Sequence, residues 1–314
     1  MTNFWRELPR PFSVLAPMDD VTDMVFREIV AGTARPDVFF TEFANCDALS
    51  SAGRVSQICR LKFTENQHPI VAQIWGIHPE SFIKAVRLVK KLKFDGIDIN
   101  MGCPERAVMK CGAGAALIDN SNLAGEIILA VKENCGSLPV SVKTRLGVKT
   151  IKTKEWIKFL LKFDLEAITI HGRTAREMSQ VPADWEEISK AVKLRDQLKS
   201  KTLIIGNGDV GDYTEAVEKC QKYRVDGVMI GRGIFENLYA FDKSANKPIL
   251  TPQQRISLLL DHVKLFDQTW GKTKNFAVMK KFFKIYIRDF PGASDLRVKL
   301  MSAASAAEVG KLLC

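Results

Sequence analysis

Residues 97–118 read IDINMGCPERAVMKCGAGAALI, an apolar strand that runs into a glycine-flanked turn carrying a cysteine. The run from Phe94 to Ile99 alternates and ends in Asn100, after which Met101-Gly102-Cys103-Pro104 should break the strand. Glycine permits unusual backbone angles there, and proline removes an amide donor. This puts the Cys103 thiol at the C-terminal mouth of a strand. Burial is an ordinary fate for a small apolar side chain of this kind, so chemistry at Cys103 has to be argued from its surroundings.

Outward from this strand, short β-rich runs recur between helical stretches, at 13–15, 38–41, 70–74, 96–99, 140–143, 167–170, 203–205 and 227–230. Strands alternating with helices call for a parallel sheet with crossover helices, and eight such units for a closed barrel. A doubly wound dinucleotide fold would want G-x-G-x-x-G after the first strand, where Leu15-Ala16-Pro17-Met18 stands instead. The expected class is therefore α/β, a (β/α)8 TIM barrel over residues 1–242. From 240 to 250 the chain becomes polar, and Thr251-Pro252-Gln253-Gln254 reads as a helix start with proline at the first position. Ile256, Leu259, Leu260, Val263 and Phe266 form one apolar stripe, and Phe276, Met279, Phe283 and Tyr286 a second, so an all-helical C-terminal domain is expected over 251–314.

The 314 residues are 46% hydrophobic and 26% charged, ordinary for a soluble chain with a sizeable core. No stretch approaches a membrane span, and MTNFWRELPRPF lacks the basic-then-apolar pattern of a signal peptide, so a cytoplasmic location is expected. The cysteines at 46, 59, 103, 111, 135, 220 and 314 form no C-x-x-C pair and have no histidine nearby at ligand spacing. Reduced thiols and no metal are the expectation. The formal charge of +10 suits a polyanionic partner. Eleven Lys/Arg against five acids in 251–314 put +6 of it in the tail.

The residues at the strand ends are Ala16, Pro17 and Met18; Glu42; Gln73; Asn100 and Cys103; Lys143 and Arg145; His171 and Arg173; Asn207, Gly208 and Asp209; then Gly231, Arg232 and Gly233. On a barrel they share the C-terminal rim, where function sits. Each has an ordinary reading: Lys143 as a solvated strand end, His171 as a satisfied core histidine, Asn207-Gly208 as a turn. The last two strands say more, since LIIGNGDV and DGVMIGRGIF end in glycines that let backbone N–H groups approach a phosphate. Lys143 adds a cation near the barrel axis, which an anionic reduced flavin needs at its pyrimidine edge. FMN fits these parts.

The segments LAPMDDVTDMVFR, VAQIWG, DINMGCPERAVMKCGAGAAL, VKTRLG, ITIHGRT, IGNGDV and VMIGRG stand in the order and spacing of the tRNA-dihydrouridine synthases, which residues 13 to about 236 resemble. The resemblance implies reduction of specific tRNA uridines to 5,6-dihydrouridine with FMN and NADPH, hydride passing from flavin N5 to C6 and a proton from Cys103 to C5. It implies that Ala16, Pro17 and Met18 cover the flavin, that Gln73 bonds its ring, that Lys143 faces the N1/O2 edge and that His171 lies nearby. Asn207, Gly208, Asp209, Gly231 and Arg232 would hold the phosphate, Asn100 and Arg145 the target uracil. As an acid Cys103 must be a thiol, and its turn offers no neighbouring histidine to deprotonate it.

A stacked uracil cannot reach a barrel mouth, so the base must be extruded from the tRNA. Lys280, Lys281, Lys284 and Arg288, beside Phe282, Phe283 and Tyr286, suit phosphate contact and base stacking. Arg106 and Lys110 are the other RNA-facing candidates. A monomer with no membrane partner is expected. Asp19-Asp20 departs from the small residues common in the family after A-P-M, and Cys111 is given no role. Two rivals stand at this point: a flavin barrel reductase of small molecules, and an RNA-binding protein that keeps the barrel without turnover.

Overall fold

A computed structural model describes residues 3–51, 53–244 and 248–313. Its strands are β1 (Phe12–Leu15), β2 (Phe39–Phe40), β3 (Ala44–Asn45), β4 (Ile70–Trp75), β5 (Gly96–Met101), β6 (Val140–Arg145), β7 (Ala167–His171), β8 (Leu203–Asn207) and β9 (Gly227–Ile230). They are parallel and bonded in the order β1-β9-β8-β7-β6-β5-β4-β2, with β3 also on β4. The ring closes where Val14 bridges Val38 and the Leu15 N–H donates to the Val38 carbonyl at 3.1 Å. This is the TIM-barrel architecture expected from eight repeating strand–helix units.

The strand limits differ from the sequence reading in informative ways. The second strand, expected at 38–41, is shortened to β2, and β3, beyond the expected limits, pairs farther along β4. The Thr41 hydroxyl oxygen accepts the Gln73 N–H at 3.1 Å, so a side chain replaces a ladder carbonyl and the strand ends there. β5 continues through Asn100 and Met101, because both pair in register with Lys143 and Thr144 of β6. For the same reason Arg145, His171 and Asn207 lie on strands rather than past them.

Alternation sorts the side chains. Outward residues such as Ile97, Ile99, Val142 and Ile168 pack under the helices. Inward ones, Phe12, Val14, Phe40, Val71, Ala167, Leu203 and Ile205, fill the lower barrel with Trp5. Trp5 lies on the short helix Phe4–Glu7, whose start is capped by Asn3, and its ring packs on Phe12 and Phe40 where the strands begin.

The C-terminal residues are helical. The helix Pro252–Trp270 opens with a reciprocal capping box between Thr251 and Gln254, and buries Leu259, Val263, Phe266 and Trp270. The expected second α-helical stripe is instead a 3-10 turn over Phe276–Phe282 followed by the short helix Phe283–Tyr286. Phe276, Met279 and Phe282 recur every three residues, and that spacing eclipses on a 3-10 helix. Phe282 stacks on Phe26 of the helix Met24–Thr33, and Lys274 pairs with Asp23 at 2.8 Å, tying this region to the barrel. The polar connection expected at 240–250 includes 245–247, which lie outside the described residues. No helix among the described residues is long and apolar enough to cross a membrane.

Trp5 is fully buried at the base of the barrel. Trp5→Ala should cost about 3–5 kcal/mol, read as a lower urea midpoint with an unchanged slope.

Candidate active site

Above the apolar floor the inward positions turn polar. Gln73 on β4 stands beside Asp98 on β5, Asn100 beside Lys143 on β6, and Arg145, His171, Asn207 and Met229 follow one another across β6 to β9. Every residue expected around the cofactor and the base, from Ala16, Pro17 and Met18 to Gly231 and Arg232, lines one cavity of about 900 Å3. Cys103 is among them.

The cysteine turn is held from three sides. The Gly102 and Cys103 N–H groups donate to Asn100 Oδ1 at 3.1 and 2.9 Å. Arg145 Nε donates to the Gly102 carbonyl at 2.8 Å. The Ala115 N–H donates to the Cys103 carbonyl at 3.0 Å. Gly114 makes the last approach possible: its φ is +59°, and a Cβ there would lie 2.7 Å from the Cys103 carbonyl oxygen. Burial pushes the Cys103 thiol above its ordinary pKa, outweighing a backbone hydrogen bond from Glu105. The group is therefore a neutral thiol at physiological pH, a state that can donate a proton.

A cationic wall surrounds it. Lys143 Nζ donates to Asn207 Oδ1 at 3.2 Å, and Asn207 Nδ2 in turn donates to the Met229 carbonyl at 2.8 Å. Burial, reinforced by Arg145, brings the Lys143 ammonium down to about 8. Arg145 itself is lowered to about 10 by burial. Its Nη1 donates to the carbonyls of Thr174 and Met178 at 3.0 and 2.9 Å, so with Nε also bonded only Nη2 is left for a ligand. Asn100 Nδ2 donates to Gln73 Oε1 at 3.0 Å, which leaves Asn100 one N–H. His171 Nε2 lies 3.1 Å from Arg173 Nη1. Arginine only donates, so Nε2 accepts and the ring proton sits on Nδ1. Burial and then the cations of Lys143, Arg145, Arg173 and Arg232 drive the His171 pKa far down, and the ring stays neutral.

The last two turns form the far end of the cavity. Asp209 takes a left-handed φ of +50° and its carboxylate is bound by Arg173 and, at 3.4 Å, by Arg232. A Cβ on Gly233 would lie 2.5 Å from the Val210 carbonyl oxygen, so the two turns meet backbone to backbone. The short helix Gly233–Glu236 starts here with no side chain capping it.

Three contributors carry no role in the sequence reading. Asp98 lies on the inward face two residues before Asn100, and strand parity alone could have found it. Arg173 stands on the rim, two residues past His171, and only the folded turns reveal its bond to Asp209. Arg60, on the helix Arg54–Arg60, reaches the cavity wall and binds Asp19, Asp20 at 3.6 Å and Glu42 at 3.2 Å. No local pattern announces it, but it explains the two acids after A-P-M: they and Glu42, whose carboxyl burial raises to about 7, gather around one guanidinium.

The expected stacking surface in the tail is corrected. Phe282, Phe283 and Tyr286 are each 2% exposed or less, committed to the core and closed to a base. Lys280 and Lys281 donate to the carbonyls of Met301 and Asp20, both at 2.7 Å, and Arg288 pairs with Glu236 and Asp289. Lys284, Arg106 and Lys110 are exposed, and their side chains make no hydrogen bond or ion pair among the described residues.

Residues 14–314 match the family model for dihydrouridine synthases. The chain belongs to the dihydrouridine synthase family. It is 47% identical over 314 residues to a probable tRNA-dihydrouridine synthase of Staphylococcus aureus, covering 99% of this chain and 94% of that one. It is likewise 47% identical to a probable tRNA-dihydrouridine synthase 2 of Bacillus subtilis, covering 99% and 95%. Among solved structures, morphinone reductase in complex with tetrahydroNAD superposes with a TM-score of 0.52 at 14% identity, covering 77% of this chain and 89% of that one, a likeness of fold alone.

The Lys143 shift has a definite sign. Its folded value of about 8 lies below the ordinary 10.5, so the unfolded chain binds more protons between those limits and stability rises with pH across them. Lys143→Met should therefore stabilise the ligand-free protein by about 1–3 kcal/mol at pH 7, a gain that shrinks as pH rises from 8 to 10.5. Urea unfolding of both proteins at each pH measures it.

Proposed function

We propose that this protein reduces uridines in tRNA to 5,6-dihydrouridine, with FMN bound in the barrel mouth, NADPH as reductant and Cys103 as the proton donor to C5. The observation that carries this reading is the Cys103 thiol, kept protonated by burial and fixed by Asn100 in the same cavity as Lys143. Membership of the dihydrouridine synthase family and the names of the two bacterial relatives support the substrate and the reaction.

The residues fit a phosphorylated flavin. Where a phosphate would lie, Gly208, Gly231 and Gly233 leave backbone rather than side chains, and Arg173 and Arg232 already neutralise Asp209. Lys143 remains a cation at neutral pH, suited to the pyrimidine edge. Ala16, Pro17 and Met18 would cover the ring and Gln73 bond it, with His171 donating from Nδ1. When bound, FMN would accept hydride from NADPH and supply it to C6 of the uracil. The free Nη2 of Arg145 and the remaining N–H of Asn100 would then stabilise charge on the uracil carbonyl, while Cys103 protonates C5.

We further take residues 1–242 as the catalytic barrel and 251–314 as a helical tRNA-binding domain, the protein acting as a cytoplasmic monomer. The tRNA must present an extruded base, and its backbone would run over Arg106, Lys110 and Lys284, whose cationic groups are not held by hydrogen bonds or ion pairs among the described residues. Lys280, Lys281 and Arg288 are oriented by their internal partners and would contribute at the edge of this track.

Two measurements test the reading. In cells lacking the protein, dihydrouridine in tRNA should be lost, and should return with wild type but not with Cys103→Ala. That variant should still reduce its flavin with NADPH. Restoration by Cys103→Ala removes the acid role, and unchanged dihydrouridine from a protein that binds flavin moves the assignment to a small-molecule reductase. Replacing Arg106, Lys110 and Lys284 with alanine should flatten the dependence of log tRNA affinity on log salt by about 0.7–0.9 for each phosphate no longer neutralised. An unchanged slope in filter binding would place the backbone elsewhere.

A further inference from the structure

We propose that Asp98 is a positioning residue: through Gln73 and Asn100 it sets the direction of a hydrogen-bond chain that holds the Cys103 turn and aims its thiol. The proposal rests on the reading of Cys103 as proton donor, and its geometry stands apart from that reading.

Asp98 is fully buried on the inward face of β5. Ser141 Oγ donates to its Oδ1 at 2.6 Å and Gln73 Nε2 to its Oδ2 at 2.7 Å. Gln73 Oε1 accepts from Asn100 Nδ2 at 3.0 Å, and Asn100 Oδ1 accepts from the N–H groups of Gly102 and Cys103. A carboxamide has nearly the same shape when its oxygen and nitrogen are exchanged, so shape does not decide which way these two amides point. The ends of the chain decide it. At the top stand two backbone N–H groups, which only donate. At the bottom stands a carboxylate, which only accepts. Two amides in series satisfy both ends in one sense alone, and any flip sets donor against donor or acceptor against acceptor inside a buried cluster.

Each end therefore fixes the other. Without an acceptor at position 98, Gln73 loses its reason to turn its nitrogen downward, and its oxygen is no longer held toward Asn100. Asn100 is then secured only by the turn it is meant to secure. Burial raises the Asp98 carboxyl to about 6, opposed by the bonds from Ser141 and Gln73 and by the Lys143 cation, so at neutral pH it is ionised and offers Gln73 an acceptor.

Direction and charge can be separated by substitution. Asp98→Asn removes the charge but keeps the direction, since its oxygen can face Gln73 and its nitrogen the Ser141 hydroxyl. Asp98→Ala removes both. Ser141→Ala removes the other partner of Asp98 without touching the chain. The decisive experiment follows iodoacetamide labelling of Cys103 in the purified full-length protein by peptide mass spectrometry, with exposed Cys111 as internal standard, beside dihydrouridine formation on tRNA. Asp98→Ala should label at Cys103 at least about threefold faster and lose about tenfold or more of tRNA turnover, in the range of one buried unsatisfied polar group. Asp98→Asn and Ser141→Ala should stay within about threefold of wild type on both. Wild-type behaviour of Asp98→Ala overturns the proposal, as does equal impairment of Asp98→Asn, which would make charge the operative property. If Asp98→Ala does not fold, Gln73→Met breaks the chain at its middle with similar volume, and an unchanged labelling rate at Cys103 is then the overturning result. If wild type forms no dihydrouridine, the functional reading fails while the labelling comparison still decides the positioning role.

Discussion

A closed parallel barrel gives each inward side chain no exit, and the rest of this structure follows from that constraint. Apolar residues can share the interior without further conditions, so the lower barrel is filled by Trp5, Phe12, Val14, Phe40 and their neighbours. Once the inward rows turn polar, every donor and acceptor must find a partner within the ring or face the cavity. Asp98, Gln73, Asn100, Lys143 and Asn207 meet this demand by bonding from strand to strand among β4, β5, β6 and β8. Thr169 Oγ1 on the inward face of β7 and Trp5 Nε1 at the base are left without a partner among the described residues, while the donors left to Arg145 and Asn100 line the mouth.

Charge is distributed just as unevenly. Lys143, Arg145, Arg173 and Arg232 stand around the cavity, and of the acids that line it Asp209 is bound by two arginines, Asp19 by Arg60 and Glu236 by Arg288, which leaves Glu105 beside the cysteine turn. The cavity is thus predisposed to anionic ligands before any binds. Burial first and this field second keep His171 neutral and draw Lys143 toward neutrality, and burial likewise governs the Cys103 thiol. A thiolate nucleophile would be expected where cations win over desolvation; here desolvation wins, and the group is suited to giving up a proton only as the reaction demands one.

How much of this can be read from the chain depends on how local each determinant is. The barrel and the cavity residues are legible because strand alternation and the glycine turns are encoded within a few residues of each other. The ends of β5 to β8 fall later than local pattern suggests, since their last residues are held by partners on neighbouring strands and not by their own sequence. Arg60 is invisible because it arrives from a separate helix to meet Asp19, Asp20 and Glu42. The tail misleads for a different reason: aromatics interleaved with lysines have the same pattern whether the rings face solvent or a core, and Phe26 on another helix decides that they face a core.

The tail's charge therefore has two uses that its sum conceals. Lys274 binds Asp23, which also accepts the Phe26 N–H to cap the helix Met24–Thr33. Lys281 binds the Asp20 carbonyl, whose own N–H donates to Glu42 at 2.7 Å. Both lysines thus brace the loop that begins with Ala16, Pro17 and Met18 on the cavity wall. A basic C-terminal region fixed in this way to the first barrel loop is part of what shapes the mouth, and a polyanion bound near it would compete for lysines that the loop already uses. Under the proposed function, any contribution of this region to RNA affinity would be carried by the cations left over, and its contribution to the cavity by those that are not.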